Sequence, residues 1–231
     1  MNQGEIWSRS EGDRWFDRNK DALDRFLPNQ DVPLRLLEMY QLKPKRVLEV
    51  GASTGYRVAA IAERTGAHCV ALDVSRAAVA YGHTAYPQVE FVVGEASSIP
   101  IGQPFDVVIV NFVLYVIDRA SLLKTVAELD RVVGDGGMLL IGDFLPSGPT
   151  RVSYRHVPQQ QMFSYKQNYA SLFIESGLYR QVAFLASAHT TVSSGHAWNS
   201  LATQVSDQDR IGHWLLQKSL NGNYVTRELD V

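Results

Sequence analysis

The run Val47-Leu48-Glu49-Val50-Gly51-Ala52-Ser53-Thr54-Gly55, answered further along by Ala71-Leu72-Asp73, sets the architecture of this 231-residue chain. A β-branched and leucine-rich segment of this kind reads as a buried parallel strand. Gly51 and Gly55 lack the Cβ atoms that would keep backbone away from a ligand. The turn then opens a predicted helix, so free N–H groups and a helix N-terminus converge on one crevice, where a polar or anionic group can sit. Asp73 lies 22 residues beyond Gly51. That is close to the roughly 20-residue offset at which an acidic side chain meets ribose hydroxyls in nucleotide-binding α/β folds. The spacing points to an adenosine-bearing ligand. A dinucleotide fingerprint would need glycine at 51, 53 and 56, whereas the chain has Gly51, Ser53 and Tyr56, which disfavours a nicotinamide oxidoreductase.

Outward from this turn, strands are predicted near 46–50, 68–73, 89–94, 106–110 and 137–143, with helices at 31–41, 55–65, 75–85 and 119–132. Strands separated by helices of this length argue for βαβ units and a parallel sheet. Residues 1–30 read as one or two short helices outside the sheet. Residues 144–163, with Pro146, Pro149 and Pro158, read as an irregular substrate-side insertion, and Tyr165–Ser176 as a helix whose Tyr165, Tyr169 and Phe173 share one face. Two last strands are expected near 179–188 and 209–218. The organisation expected is one domain over 1–231: an N-terminal helical cap or lid (1–41), a cofactor-binding core (42–143), the insertion with its helix (144–176) and the final strands (177–231).

The glycine turn resembles the E/D-x-G-x-G-x-G loop of class I S-adenosylmethionine-dependent methyltransferases, with Glu49, Gly51 and Gly55 in place and Ser53 at the middle glycine. Three further blocks extend the likeness. Val89–Ala96 looks like the third strand and adenine-side loop, with Glu95 where relatives usually carry Asp. Phe105–Leu114 is similar to the fourth strand and the loop after it, and Val133–Ile141 to the glycine turn entering the fifth. The resemblance implies a Rossmann-like α/β fold with a seven-stranded, mostly parallel sheet, helices on both faces and an antiparallel last strand. It implies S-adenosyl-L-methionine as cofactor and S-adenosyl-L-homocysteine as product. Glu49, Gly51, Ser53 and Gly55 would hold the methionine portion, Asp73 the ribose, Glu95 and Ala96 the adenine, and Asn111 the methionine side, with Val74 and Phe112 beside them. The opening Glu5-Ile6-Trp7-Ser8, Gly12-Asp13, Trp15 and Arg18-Asn19 resembles the start of bacterial methyltransferases associated with pseudaminic acid and other surface sugars. Trp7, Trp15 and Asn19 either fold over the cofactor as a lid or anchor a helix to the sheet.

Methyl transfer needs alignment of the partners and removal of a proton. The base candidates are His156, Asp143 and Tyr154. Asp143 follows the fifth strand and either faces substrate or bonds the loop after it. His156 either takes a hydroxyl proton or bonds loop backbone. Asn111-Phe112-Val113-Leu114 lacks the prolines of the N-P-P-Y motif that grips planar nitrogens. His68, His83, His189, His196 and His213 show no metal-ligand spacing and read as structural, so no metal is expected.

Composition narrows the rest. Twenty-four acidic against 22 basic residues give a net charge of −2, without the basic footprint of a nucleic-acid binder. No run of 18 apolar residues is present and Met1–Arg14 lacks signal-peptide character, so no membrane span and a cytoplasmic location are expected. The lone Cys69 allows no internal disulfide. The function expected is methyl transfer to a small polar molecule by a monomer or homodimer, at oxygen, on a sugar or nucleotide sugar. N-methylation of an amine and cofactor binding without transfer stand as alternatives.

Overall fold

A computed structural model describes residues 2–189 and 205–224. The N-terminal run comprises α1 (Gln3–Ile6), a π-helical turn at Trp7–Glu11 and α2 (Gly12–Leu23), with α3 (Val32–Met39) after it. The alternation that follows is β1 (Arg46–Val50), α4 (Tyr56–Thr65), β2 (His68–Asp73), α5 (Arg76–Ala85), β3 (Glu90–Val93), β4 (Phe105–Asn111), α6 (Leu122–Val132) and β5 (Val133–Phe144). The chain then forms β6 (Thr150–Ser153), β7 (Phe163–Lys166), α7 (Ser171–Ile174), β8 (Tyr179–Ala188) and β9 (Arg210–Lys218).

Seven strands make one sheet in the order β3-β2-β1-β4-β5-β9-β8. β1 to β5 pair in parallel, while β9 is antiparallel to both β5 and β8. This is the Rossmann-like class I fold, with the last strand reversed as expected. Two reversals return β8 to the direction of β5, so the carboxyl ends of β1 to β5 and of β8 share one edge. In open parallel sheets the ligand crevice lies at that edge.

Side-chain alternation divides the core between the two sheet faces. Val47, Ile109 and Leu140 pack with Leu34 and Leu36 of α3, Val58 and Ile61 of α4 and Val79 of α5. Leu48, Val108, Leu139 and Ile141 pack with Leu129 and Val132 of α6. Because β1 is covered on both faces from Val47 onward, that stretch is apolar except at Glu49.

The region after β5 differs from expectation. Residues 144–163 are not wholly irregular: β6 pairs antiparallel with β7, Arg151 opposite Tyr165 and Val152 opposite Ser164. The helix expected over Tyr165–Ser176 is replaced by strand β7 and the four-residue α7. Tyr165 therefore lies on a strand, while Tyr169 and Phe173 are buried against the second sheet face. Locally, aromatic Phe163 and Tyr165 alternate on an extended segment, and Asn168 Oδ1 accepts from Ser171 N at 3.3 Å in the turn that precedes α7. His196 falls outside the described residues.

Candidate active site

The turn after β1 places three residues in the left-handed region within five positions: Gly51 at φ +72°, Ser53 at +51° and Gly55 at +73°. Glycine suits two of them. At Gly51 a Cβ would collide with Val113 of the loop after β4, and at Gly55 it would sit 2.7 Å from the Phe91 ring. Ser53 has no such licence, and its backbone strain is held by the surroundings. Ser53 N donates to Asp73 Oδ2 at 2.7 Å, while Ser75 N donates to Asp73 Oδ1 at 2.8 Å. Asp73 thus ties the glycine turn to the start of α5. Burial raises its pKa, and the backbone N–H donors from Ser75 and Ser53 oppose that.

The N-terminal segment is fastened to the same place. Asp13 Oδ1 accepts from Ser75 Oγ at 2.7 Å and from Ala77 N at 3.1 Å. The buried Gln3 side chain donates to Val116 O at 2.7 Å and Phe163 O at 2.8 Å and accepts from Phe163 N at 2.9 Å. Glu11, fully buried, accepts from Arg18 and, at 2.9 Å, from Tyr154 Oη. The segment is therefore pinned to α5 on one side and to the β6–β7 hairpin on the other.

These elements enclose a cavity of about 720 Å³ at the carboxyl edge of the sheet, within the range usual for small-molecule sites. Gly51, Ser53, Asp73, Val74, Glu95 and Ala96 line one side, and Trp7, Trp15 and Asn19 cover it. Asn111, Phe112, Tyr115, Phe144 and His189 line the end beyond β4 and β5. Ser53 Oγ, Trp7 Nε1 and Asn111 Oδ1 are buried in this wall without hydrogen-bond partners. Orphaned polar atoms on a concave wall fit a ligand that carries its own donors and acceptors. With a carboxylate at the end of β2, a second after β3 and the glycine turn after β1, the donor set fits an adenosyl sulfonium.

Two of the expected cofactor residues stand outside the wall. Gly55 works behind it, as the left-handed residue that opens α4. Glu49 is corrected outright. Its carboxylate is 1% exposed and ion-paired with Arg57, which also binds Asp31 at 2.9 Å. Burial pushes the Glu49 carboxyl up to about 7 despite that cation. Its side chain locks the turn from beneath and does not face the cavity; Arg57 is the member of the trio that does.

The three base candidates are corrected as well. His156 is exposed on the hairpin turn, its ring against Tyr154 at 5.3 Å and away from the cavity. Tyr154 is buried, donates to Glu11, and has its pKa raised by burial and by that carboxylate. Asp143 is fully buried and spends its oxygens on backbone, accepting from Phe144 N at 2.8 Å and Tyr115 N at 3.1 Å. Burial lifts it to about 8. Asp143 thus bonds the loops that carry Tyr115 and Phe144, the second of the two roles open to it.

His189, which read as structural, stands at the cavity wall. It directly follows β8, and the signal that finds it is topological: β8 ends at the same edge as β1, β2, β4 and β5. Its ring meets Phe112 edge-on at 5.4 Å and Phe144 at 5.2 Å. Phe112 is itself held at φ +54°, a strained conformation of the kind that collects at functional sites. Among the described residues no group of three acidic, histidine or cysteine side chains is placed to hold a metal, and no helix is long and apolar enough to cross a membrane.

The sheet with its crevice at the carboxyl edge has the fold of the class I methyltransferases, and comparison with known proteins agrees on that fold. Residues 47–137 match the methyltransferase domain family. A demethylmenaquinone methyltransferase of Renibacterium salmoninarum is 28% identical over 243 residues, spanning 94% of this chain and 93% of the relative. A demethylmenaquinone methyltransferase of Beutenbergia cavernae is 34% identical over 101 residues, 43% of this chain and 41% of the relative. Among solved structures, the fold is similar to a 1,6-didemethyltoxoflavin-N1-methyltransferase of Burkholderia thailandensis with its substrate and S-adenosylhomocysteine (TM-score 0.67, 14% identity, 91% and 87% covered). It is also similar to the N-methyltransferase NodS of Bradyrhizobium japonicum with S-adenosylhomocysteine (TM-score 0.60, 14% identity, 94% and 99% covered). The chain has the Rossmann-like class I fold and is an S-adenosylmethionine-dependent methyltransferase that acts on a small molecule.

Proposed function

We propose that the protein methylates a hydroxyl oxygen on a small, flat, unsaturated ring. The observation that carries this is the far end of the cavity, where Phe112, Tyr115, Phe144 and His189 form an aromatic wall beside Asn111. Aromatic faces and edges favour a planar partner. Asn111 lines the same end, its amide oxygen enclosed over Gly142 of β5.

Bound S-adenosylmethionine supplies a methyl group on a positively charged sulfur, already a good electrophile. The chain's own part is placement. Asp73 would hold the ribose, Ser53 the methionine portion, and Glu95 with Ala96 the adenine edge. Gly51 lets Val113 close against the turn, and Trp7 and Trp15 keep water from the transfer site. Phe112, pinned by its N–H to Gly142 O at 2.7 Å, sets the distance between the acceptor ring and the methyl group.

The named activity of the two sequence relatives favours a second reading, transfer to a ring carbon next to such a hydroxyl. A nucleotide sugar is the acceptor implied by the N-terminal resemblance. The test is incubation with methyl-labelled S-adenosylmethionine and a panel holding 2-naphthol, a naphthohydroquinone, an aromatic amine and a nucleotide sugar. Mass spectrometry and NMR of the products then locate the methyl group. O-methylated naphthol is the expected product. Turnover of the amine or the sugar alone would overturn the proposal.

A further inference from the structure

We infer that His189 is the general base that takes the proton from the acceptor hydroxyl. This rests on the preceding proposal that the acceptor is a ring hydroxyl. Among the described residues lining the aromatic end of the cavity, His189 is the side chain whose ring nitrogen accepts a proton near neutral pH. Asp143 is used up on backbone N–H groups, and Tyr115 is a phenol whose pKa burial raises. The ring of His189 is steadied between Phe112 and Phe144, and its backbone N–H donates to Asp209 O at 2.8 Å. A base with a fixed position on the wall can meet a hydroxyl bound at that end of the cavity.

Among the described residues, the charged and titratable groups packed around it and its two phenylalanine neighbours are Lys166 from β7, Asp209 from the segment before β9, Tyr115 against Phe144, and His213 of β9 behind Phe112. Burial lowers the pKa of His189; Asp209 opposes this and Lys166 reinforces it. The ring is therefore neutral at pH 7 and competent to accept. In the step, the hydroxyl proton passes to the unprotonated ring nitrogen while an oxygen lone pair forms the new O–C bond. The S–C bond breaks with its electron pair remaining on sulfur, which becomes a neutral thioether. The imidazolium then gives its proton to solvent as product leaves.

The test compares wild type with His189→Gln on two acceptors, 2-naphthol, which is neutral at assay pH, and 1-nitro-2-naphthol, which is already ionised. Calorimetry with S-adenosylhomocysteine should give equal affinities, showing that the variant is folded and its cofactor side intact. With 2-naphthol, kcat should fall by about 10²–10⁴-fold with little change in KM, the range for loss of a positioned base. With 1-nitro-2-naphthol the two proteins should differ by no more than about threefold, since no proton remains to be taken. The wild-type profile should lose activity as pH falls through a value below the ordinary 6.5 of histidine, and the variant should lack that limb. Equal losses on both acceptors, or no loss on 2-naphthol, would overturn the role of His189 alone. A wild type that methylates neither naphthol would overturn the ring-hydroxyl acceptor and His189 with it.

Discussion

Ser53 combines two stresses that substitution can separate. Its backbone lies at φ +51°, a conformation that costs an L-residue about 1–2 kcal/mol and glycine almost nothing. Its hydroxyl is buried, 7% exposed as a residue, and lacks a partner in the protein. Ser53→Gly removes both stresses, and the extra freedom of glycine in the unfolded chain takes back about 0.5–1 kcal/mol. The net gain expected is about 1 kcal/mol, or about 2–4 °C in Tm for a chain of this length. Ser53→Ala keeps the strained φ and removes only the hydroxyl, so its Tm should rise less than that of the glycine variant. Toward the cofactor the two variants should behave alike. If the hydroxyl bonds the ligand, each loses about 1 kcal/mol of binding, about a fivefold rise in Kd. Differential scanning calorimetry of the free proteins and titration with S-adenosylhomocysteine read the two effects separately. A Tm for Ser53→Gly at or below that of Ser53→Ala would refute the strain argument. Unchanged affinity in both variants would show that the hydroxyl does not meet the cofactor.

Other perturbations test the scaffold around the cavity. Arg57→Ala leaves Asp31 and Glu49 as buried carboxylates with no cation between them, so a loss of about 3–5 kcal/mol is expected by thermal unfolding; a fall of under about 1 kcal/mol would mean that the trio is not the lock it resembles. His213 is buried and its pKa is pushed down to about 4. A depressed histidine stabilises the fold above its unfolded pKa and loses that contribution as pH falls from 6.5 toward 4. Urea midpoints at pH 7.5 and 4.5 should show His213→Leu losing about 2–3 kcal/mol less than wild type over that interval, and parallel losses would contradict it. Gln3→Ala breaks three hydrogen bonds that hold the N-terminal run over the cavity. Stopped-flow dissociation of S-adenosylhomocysteine should quicken by about tenfold, corresponding to about 1.4 kcal/mol of lost closure, whereas an unchanged rate would mean that this segment does not gate the cofactor.

Much of this architecture is legible from the sequence because it rests on local signals. A parallel strand covered on both faces must be apolar at successive positions, so Val47–Val50, Cys69–Leu72 and Val107–Val110 announce themselves. The glycine turn is equally plain, since two of its positive φ angles are glycine. The β6–β7 hairpin is less so, because its stability comes from elsewhere. Gln3 bonds Phe163 across 160 residues of sequence, and Tyr154 bonds Glu11 across 143. Such pairings leave no periodicity in either segment. A four-residue recurrence of aromatics at 165, 169 and 173 then imitates a helix face although one of the three is on a strand.

The site is less legible where a residue's chemistry is weighed without its direction. Asp143 and Glu49 both lie on central strands; the sequence leaves Asp143 facing substrate or bonding the loop after it, and the glycine-turn resemblance implies that Glu49 holds the methionine portion. Burial reverses that inference. A fully enclosed carboxylate must find donors within the protein, and the nearest donors are the backbone of residues 114–115 and 144 for Asp143 and the Arg57 guanidinium for Glu49. The clue to the second was present in the sequence: Arg57 is followed by Val58, Ala59 and Ile61 on a helix that buries this face, and a cation there has to be answered by an acid nearby. His189 presents the opposite case, a histidine at a strand end that reads as structural and yet lines the cavity. Only the sheet order, with β9 reversed between β5 and β8, shows that this end opens onto the crevice. Chemistry in this chain is therefore placed by strand direction: Gly51, Val74, Phe112 and His189, each one step past the carboxyl end of a strand, line the crevice together with the strand-end residues Asp73, Asn111 and Phe144.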